Sequence, residues 1–509
     1  MSAENLGRTG RLSGGPAFEL VDAGHRVEIA QAVPLAPALS LADLAHAVAL
    51  IEGGALDGQI ASGLLGGLLE LHAIPPAQFP WDPEHGDAFN SRERELRRRV
   101  GAAASGWLTA GRPRREAFRV ALRLVARERV LGLHDALLDV TDALADQAER
   151  HASDLAADYT YLQPAQPTTI GHLLLGYAQP LLRDATRLRR VHEWLDSSVA
   201  GVGGSAGSRW PIDRARLAEL LGCEAVARHT KDAMWAADGY AELASTVAIA
   251  LAGVAQLAQD LEILCSREFG AVELADAHSR QSDLMPQKKN PYALAIIRAG
   301  AAEAAGAVAV VLTALHTGSA RTDHYHVLNG MIPRLLDDAA ATARLGAGVV
   351  TGMTLHPERF AAAARDGFTV AADVADVVAV EAGLDYRTAH TVVGRAVRRL
   401  VADGRAPSEL TAGLLRAEAQ EVVGATVRIS DAAIASALDP EACLGARTQF
   451  GAATPHEIDA MLDEARVGVV EGHAWSGAAR QRAKLATDRL LARARELAAA
   501  SLEPPLGSR

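Results

Sequence analysis

The stretch Ser279-Arg280-Gln281-Ser282-Asp283-Leu284-Met285-Pro286-Gln287-Lys288-Lys289-Asn290-Pro291 decides how the rest of the chain is read. It is a polar loop, dense in Ser, Asp, Gln and Lys, that runs into an Ala-rich apolar segment from Ala293 to Leu315. Asn290-Pro291 is a helix-start signal, with Asn290 as N-cap and Pro291 at the first helical position. The segment that follows reads as a mostly buried helix. A hydroxyl, two ammonium groups and an amide at a buried helix N-terminus make a place for an anion, because the free N–H groups there attract negative charge. The plainer alternative is a solvated loop with an ordinary helix cap.

Working outward, long apolar stripes recur. Phe118, Leu122, Val125, Leu133, Leu137, Val140 and Leu144 step at helical spacing between Glu116 and Asp154. Leu243, Val247, Leu251, Val254, Leu257, Leu261 and Leu264 do the same, and Leu173 to Val199 is similar. Stripes this long point to a helix bundle with several faces covered. Ser40 to Leu71 reads as two helices broken at Gly53-Gly54. Pro164 and Pro167 forbid a regular helix after Thr160, so Thr160 to His172 reads as an extended loop. From about Thr354 the helices shorten around Gly383, Gly404, Gly413 and Gly424. The final helix, from Gly477, is strongly charged.

The chain has 509 residues, enough for about three domains. Apolar residues make up 49% and aromatics only 4%, with Ala and Leu dominant, which favours packed helices over sheets. A net charge of −11 argues against a nucleic-acid partner. An acidic protein that binds a dianion must gather its cations locally, and Arg112, Arg114 and Arg115 are one such cluster. Cys223, Cys265 and Cys443 are odd in number, far apart and without metal spacing, so a reducing cytoplasm is expected. The first residues carry no apolar leader, and no uncharged run with membrane-like flanks stands out, so neither secretion nor a membrane is expected.

Met285-Pro286-Gln287-Lys288-Lys289-Asn290-Pro291 resembles the signature loop of the aspartase/fumarase superfamily, in the form used by argininosuccinate lyases. Gly111-Arg112-Pro113-Arg114 resembles the first motif of that family. Thr160-Tyr161-Leu162-Gln163-Pro164-Ala165-Gln166-Pro167-Thr168-Thr169 resembles the second. The resemblance runs from about Leu39 to about Pro455 and implies an all-α chain of three domains. We expect a disordered tail over residues 1–18, an N-terminal helical domain over 19–117 and a central long-helix bundle over 118–353. A small C-terminal helical domain over 354–500 and a tail over 501–509 complete it. The resemblance also implies a homotetramer whose active sites each draw on three chains.

By that resemblance the reaction is β-elimination across a succinyl unit, without metal or organic cofactor. Ser282 falls on the catalytic base, which Lys288 would help to ionise. Lys288 and Asn290 would hold the enolate-like carboxylate. Thr160, with Arg112 or Arg114, would hold the other, and Gln166 belongs to the same substrate-binding motif. Asp283, beside the proposed alkoxide, should raise its pKa.

The departures from the family are equally informative. Tyr161 stands where the family has His, and Ala295 where it has the Glu that supports that His. The proton donor is therefore rebuilt around Tyr161, replaced by His324 or His326, or dispensable. Pro113 and Arg115 replace Ser and Asn in the first motif, and the extra cation suggests a differently placed or more anionic group on the substrate. Glu28 and Ala32 stand where the family has Ser and Asp, and an Asp lost to Ala cannot pair with a guanidinium. Phe89 replaces a His, while Asp87 is kept. The leading expectation is a carbon–nitrogen lyase acting on an N-substituted aspartate other than argininosuccinate. The alternatives are argininosuccinate lyase itself, a lyase or cycloisomerase expelling another group such as nitrite or an enzyme adding an amine to fumarate, and a scaffold without chemistry.

Overall fold

The computed structural model describes residue 11 and residues 14–500. The expected tail at 501–509 and most of that at 1–18 lie outside them. Among the described residues the architecture is all-α, with only short two-stranded ladders.

The body is a bundle of long helices: Arg114–Arg150, Ile170–Leu195, Asp238–Leu264, Tyr292–Ala314 and Asp323–Gly352. The predicted stripes are its core, with Leu122, Leu133, Leu137, Val140 and Leu144 all fully buried. Helices Arg114–Arg150 and Asp323–Gly352 run side by side in the same direction. Arg129 meets Asp337 at 2.8 Å midway, and the Gln147 side chain donates to the Val350 carbonyl near their ends. Helices Ala36–Glu52 and Gly58–His72 pack on this body. A smaller core of Val374, Val378, Val392, Leu400, Leu415 and Ile434 forms separately. Gly383 and Gly424 close two of its helices in the left-handed conformation. Helix Pro455–Ala500 returns to the main body, where Ile458, Leu462, Leu490 and Ala494 join the large core.

Three expectations are corrected. The second motif is a β-hairpin rather than a loop: Leu155–Thr160 pairs antiparallel with Gln163–Thr169. Its turn is Tyr161-Leu162, both left-handed at φ 52° and 58°. That is the twist a two-residue hairpin turn needs, although Gly or Asn is its usual occupant. Next, Asn290 does not cap a helix. Arg280–Gln281 and Lys289–Asn290 form an antiparallel ladder, and the Asn290 side-chain amide donates to the Arg280 carbonyl at 2.9 Å. The helix instead starts at Tyr292, with no side-chain cap.

The third correction concerns apolar runs. Phe18–Glu52, Asp238–Leu264 and Tyr292–Ala314 are long and apolar enough to cross a membrane by length and composition. In their most apolar windows, 78%, 56% and 28% of residues are buried within the chain, which sets the last apart from two core helices. Helix Tyr292–Ala314 was expected to be mostly buried. It exposes Ile296, Val310 and Leu312 by 42–47%, with Ala302, Ala305 and Ala309 between them.

Candidate active site

The arginine motif sits at the start of helix Arg114–Arg150. Gly111 turns the chain there at φ 67°, and a Cβ would come within 2.4 Å of the Ser208 hydroxyl, so the turn requires glycine. The ring of His46 bonds the neighbouring Ala110 carbonyl at 3.0 Å. Arg112 then points back into the N-terminal helices. It donates to the Ala42 carbonyl at 3.0 Å and to Asp43 at 2.5 Å, while Arg92 takes the other Asp43 oxygen at 2.8 Å. The side chains of this triad are 2% exposed or less. Arg112, expected as a carboxylate ligand, is thus an internal tie that anchors the motif.

Its two neighbours face outward. Arg114 is 44% exposed, donates to the Asn90 side-chain oxygen at 3.1 Å and lies 3.5 Å from Asp87. Asp87 also caps helix Ala88–Ser105 by accepting from the Asn90 N–H. Arg115 is half-buried, with no hydrogen bond or ion pair among the described residues. Burial and the adjacent Arg114 lower its pKa. Glu28 stands across from them, 2.8 Å from the His326 ring. Burial disfavours the Glu28 carboxylate, but His326, Arg114 and Arg115 outweigh it and bring its pKa below the ordinary value. His324 is buried, with Nε2 against the Trp235 carbonyl at 3.2 Å. Neither histidine belongs to a metal-like cluster: the described residues hold no group of three or more His, Cys, Asp and Glu that could ligate an ion.

The hairpin and the signature loop lie toward the other end of the bundle. Thr160 and Gln166 are exposed, and Tyr161, at the hairpin tip, is fully exposed, with no hydrogen bond to its hydroxyl among the described residues. In the signature loop, the Ser282 hydroxyl oxygen accepts from the Met285 N–H at 3.1 Å. A donor aimed at that oxygen favours an alkoxide. Lys289 is tied to Glu273 and Asp276 at 2.8 Å each. Lys288 and Asp283 are exposed and form no ion pair among the described residues, so Lys288 is the ammonium free to act.

Helix length now decides what can meet. Arg114 opens a helix of 37 residues and Leu155 follows shortly after its end. At 1.5 Å per residue that helix is about 55 Å long. Arg114 and Thr160 therefore stand at opposite ends of one rod and cannot share a site within one chain. Asp43 is the residue here that no motif had flagged. Its signal, an Asp inside a mostly apolar helix, gains its meaning only once its two arginines are known.

The chain matches the Lyase family over residues 45–306 and the argininosuccinate lyase C-terminal family over residues 368–445. It is 32% identical to the argininosuccinate lyase of Methanoculleus marisnigri over 467 residues, covering 90% of this chain and 92% of that one. It is 35% identical to that of Thermus thermophilus, covering 83% and 90%. An EDDS lyase solved in complex with formate superposes with a TM-score of 0.85 at 26% identity, covering 97% of this chain and 98% of that one. A fumarate lyase from Mesorhizobium sp. BNC1, 22% identical at a TM-score of 0.69 and covering 89% and 99%, shares the fold. With its helical bundle, its signature loop and relatives matched over nearly their full length, the chain belongs to the argininosuccinate lyase-like members of the aspartase/fumarase superfamily and is a carbon–nitrogen lyase.

Proposed function

We propose that this lyase eliminates an amine other than arginine from an N-substituted aspartate and releases fumarate. Ser282, as alkoxide, takes a proton from the carbon next to one carboxylate. The electron pair moves onto that carboxylate, giving an aci-carboxylate that Lys288 and Asn290 hold. The pair then forms the double bond as the neighbouring carbon–nitrogen bond breaks. Tyr161 supplies the proton to the departing nitrogen through its phenolic hydroxyl, a donor positioned at the hairpin tip. Thr160, Gln166 and Arg114 grip the substrate, and Arg115 faces its amine half. Arg112 positions that arginine pair through Asp43.

One observation carries this reading: the substrate-gripping arginine and the hairpin occupy opposite ends of a helix about 55 Å long. A complete site then requires other copies of the chain, and a homotetramer supplies them. The exposed apolar face of helix Tyr292–Ala314 supports such an assembly. The three free thiols fit a cytoplasmic setting. The cationic Arg115 on the amine side, and Ala32 where a guanidinium-pairing Asp would stand, argue against an arginine leaving group. The similarity to EDDS lyase structures, one with bound fumarate, points the same way.

Argininosuccinate lyase itself is the second reading, favoured by relatives at 32–35% identity. Ultraviolet detection of fumarate separates the two. Other N-substituted aspartates should be cleaved and argininosuccinate should not; the reverse result reinstates the second reading. Tyr161→Phe should lower turnover by ~10²-fold or more without changing assembly. An unimpaired variant removes Tyr161 from the mechanism.

A further inference from the structure

Between the hairpin and the bundle lies a cavity of about 430 Å³, a size that suits a small organic molecule. The first strand and turn of the hairpin form one wall, and helices Ile170–Leu195, Asp238–Leu264 and Pro357–Asp366 form others. The lining is mostly apolar. Leu174, Leu257, Leu261 and Phe360 are buried, and the Tyr159 and Phe269 rings meet edge to face with centroids 5.7 Å apart. Thr160, Gln166, Ser282 and Lys288 do not line it. Of the groups assigned to the elimination, only Tyr161 borders it, beside Leu162 at the hairpin turn.

Two carboxylates, Asp158 and Asp260, line the same cavity. The Tyr177 hydroxyl donates to the half-buried Asp260 at 2.6 Å. Asp158, exposed at the edge, accepts the N–H of its neighbour Tyr159 at 2.9 Å. Among the described residues neither acid forms an ion pair, and no Lys, Arg or His lines the cavity. Burial, and then Asp260 and Asp158, push the Tyr177 hydroxyl above its ordinary pKa, so it stays a donor. That hydroxyl fills one of about four acceptor positions on the Asp260 carboxylate. A half-buried carboxylate against apolar walls is costly without a counter-charge. Protein interiors seldom keep a void of this size. The space offers apolar surface, negative charge and ring faces that attract cations, and it lacks a cation. A dicarboxylate such as fumarate is refused by charge.

We propose that this cavity is a second ligand site, which takes a small aromatic ammonium compound, its ring against the apolar walls and its charge on Asp260, with Asp158 adding to the field. Because Tyr159, Tyr161 and Leu162 belong to the wall, an occupant steadies the hairpin that carries Thr160. The site does not depend on which amine the enzyme eliminates.

The test titrates the full-length enzyme calorimetrically with three probes of similar shape: 2-phenylethylamine, the neutral 2-phenylethanol and the anionic 3-phenylpropionate. The amine should bind at least about tenfold tighter than the alcohol, and the acid should not bind. Saturating fumarate should leave the Kd of the amine within about twofold, as expected of a site apart from the dicarboxylate. Asp260→Asn, which keeps an acceptor for Tyr177, should weaken the amine at least about fivefold and leave the alcohol unchanged. Asp158→Asn, at an exposed position, should weaken the amine ~2–5-fold. Hydrogen exchange in the hairpin should slow when the amine is bound. An amine that binds no better than the alcohol, that fumarate displaces, or that Asp260→Asn leaves at wild-type affinity overturns the proposal. Binding with unchanged exchange in the hairpin places the amine elsewhere and overturns it too. If Asp260→Asn does not fold, Asp158→Asn decides in the same way.

Discussion

The two ends of helix Arg114–Arg150 hold their polar groups by opposite means. At the Arg114 end the groups are braced from within. Arg112, Arg92 and Asp43 form a sealed triad, His46 holds the turn, and Asp87 and Asn90 steady Arg114. At the other end Thr160, Tyr161 and Lys288 stand in the open, with few bonds of their own. Braced and unbraced polar groups are thus separated along one rod. The proposed shared site takes its recognition half from one copy and its reactive half from another.

The sharpest way to break this picture is to disable the ends separately. Ser282→Ala should lose at least ~10³-fold in kcat, and Arg114→Ala should also inactivate. Co-assembled one to one, the two inactive chains should recover up to about a quarter of wild-type activity, because random assembly leaves that share of sites intact. No recovery in proven mixed oligomers would mean that both residues serve a site within one chain.

Asp43→Asn should cost about 3–5 kcal/mol of stability, since it strands two buried guanidiniums. A denaturant titration measures this, and a change under 1 kcal/mol would show that the brace is unimportant.

Acid should weaken the frame that joins the ends. His192 is 4% exposed, and burial, reinforced by Arg127 and Arg482, lowers its pKa from 6.5 to about 4. Between those values the unfolded chain binds a proton that the folded chain refuses, so stability falls as pH falls. The loss from this group reaches about 3 kcal/mol near pH 4. His192→Gln should flatten the decline in melting temperature over that window; an unchanged slope excludes His192.

The smallest effect separates two adjacent lysines. Lys289→Ala should change turnover by less than about threefold, because its ammonium serves exposed ion pairs. Lys288→Ala should abolish turnover. Equal effects would erase the distinction.

Most of the frame was legible in the sequence. The stripe through Leu122, Leu133, Val140 and Leu144 gave its helix within a few residues, because period and burial are local properties. The hairpin was not legible: Pro164 and Pro167 argue against a strand, and only a two-stranded ribbon with open edges tolerates them. Asn290 looked like a cap because the strand that claims it lies ten residues back. The role of Arg112 depended on Asp43, 69 residues away, and that of Glu28 on His326. Motif reading finds which residues matter to a family. It does not tell a guanidinium that meets substrate from one that holds the scaffold.

If the two halves at opposite ends of this stiff rod form one site as proposed, the catalyst has no working monomer. A newly synthesised copy, or one diluted below its association threshold, would be silent however well it folded. Specific activity should therefore climb with enzyme concentration before levelling off. The greasy flank of helix Tyr292–Ala314 would then act as an on-switch, delaying turnover until neighbours have arrived.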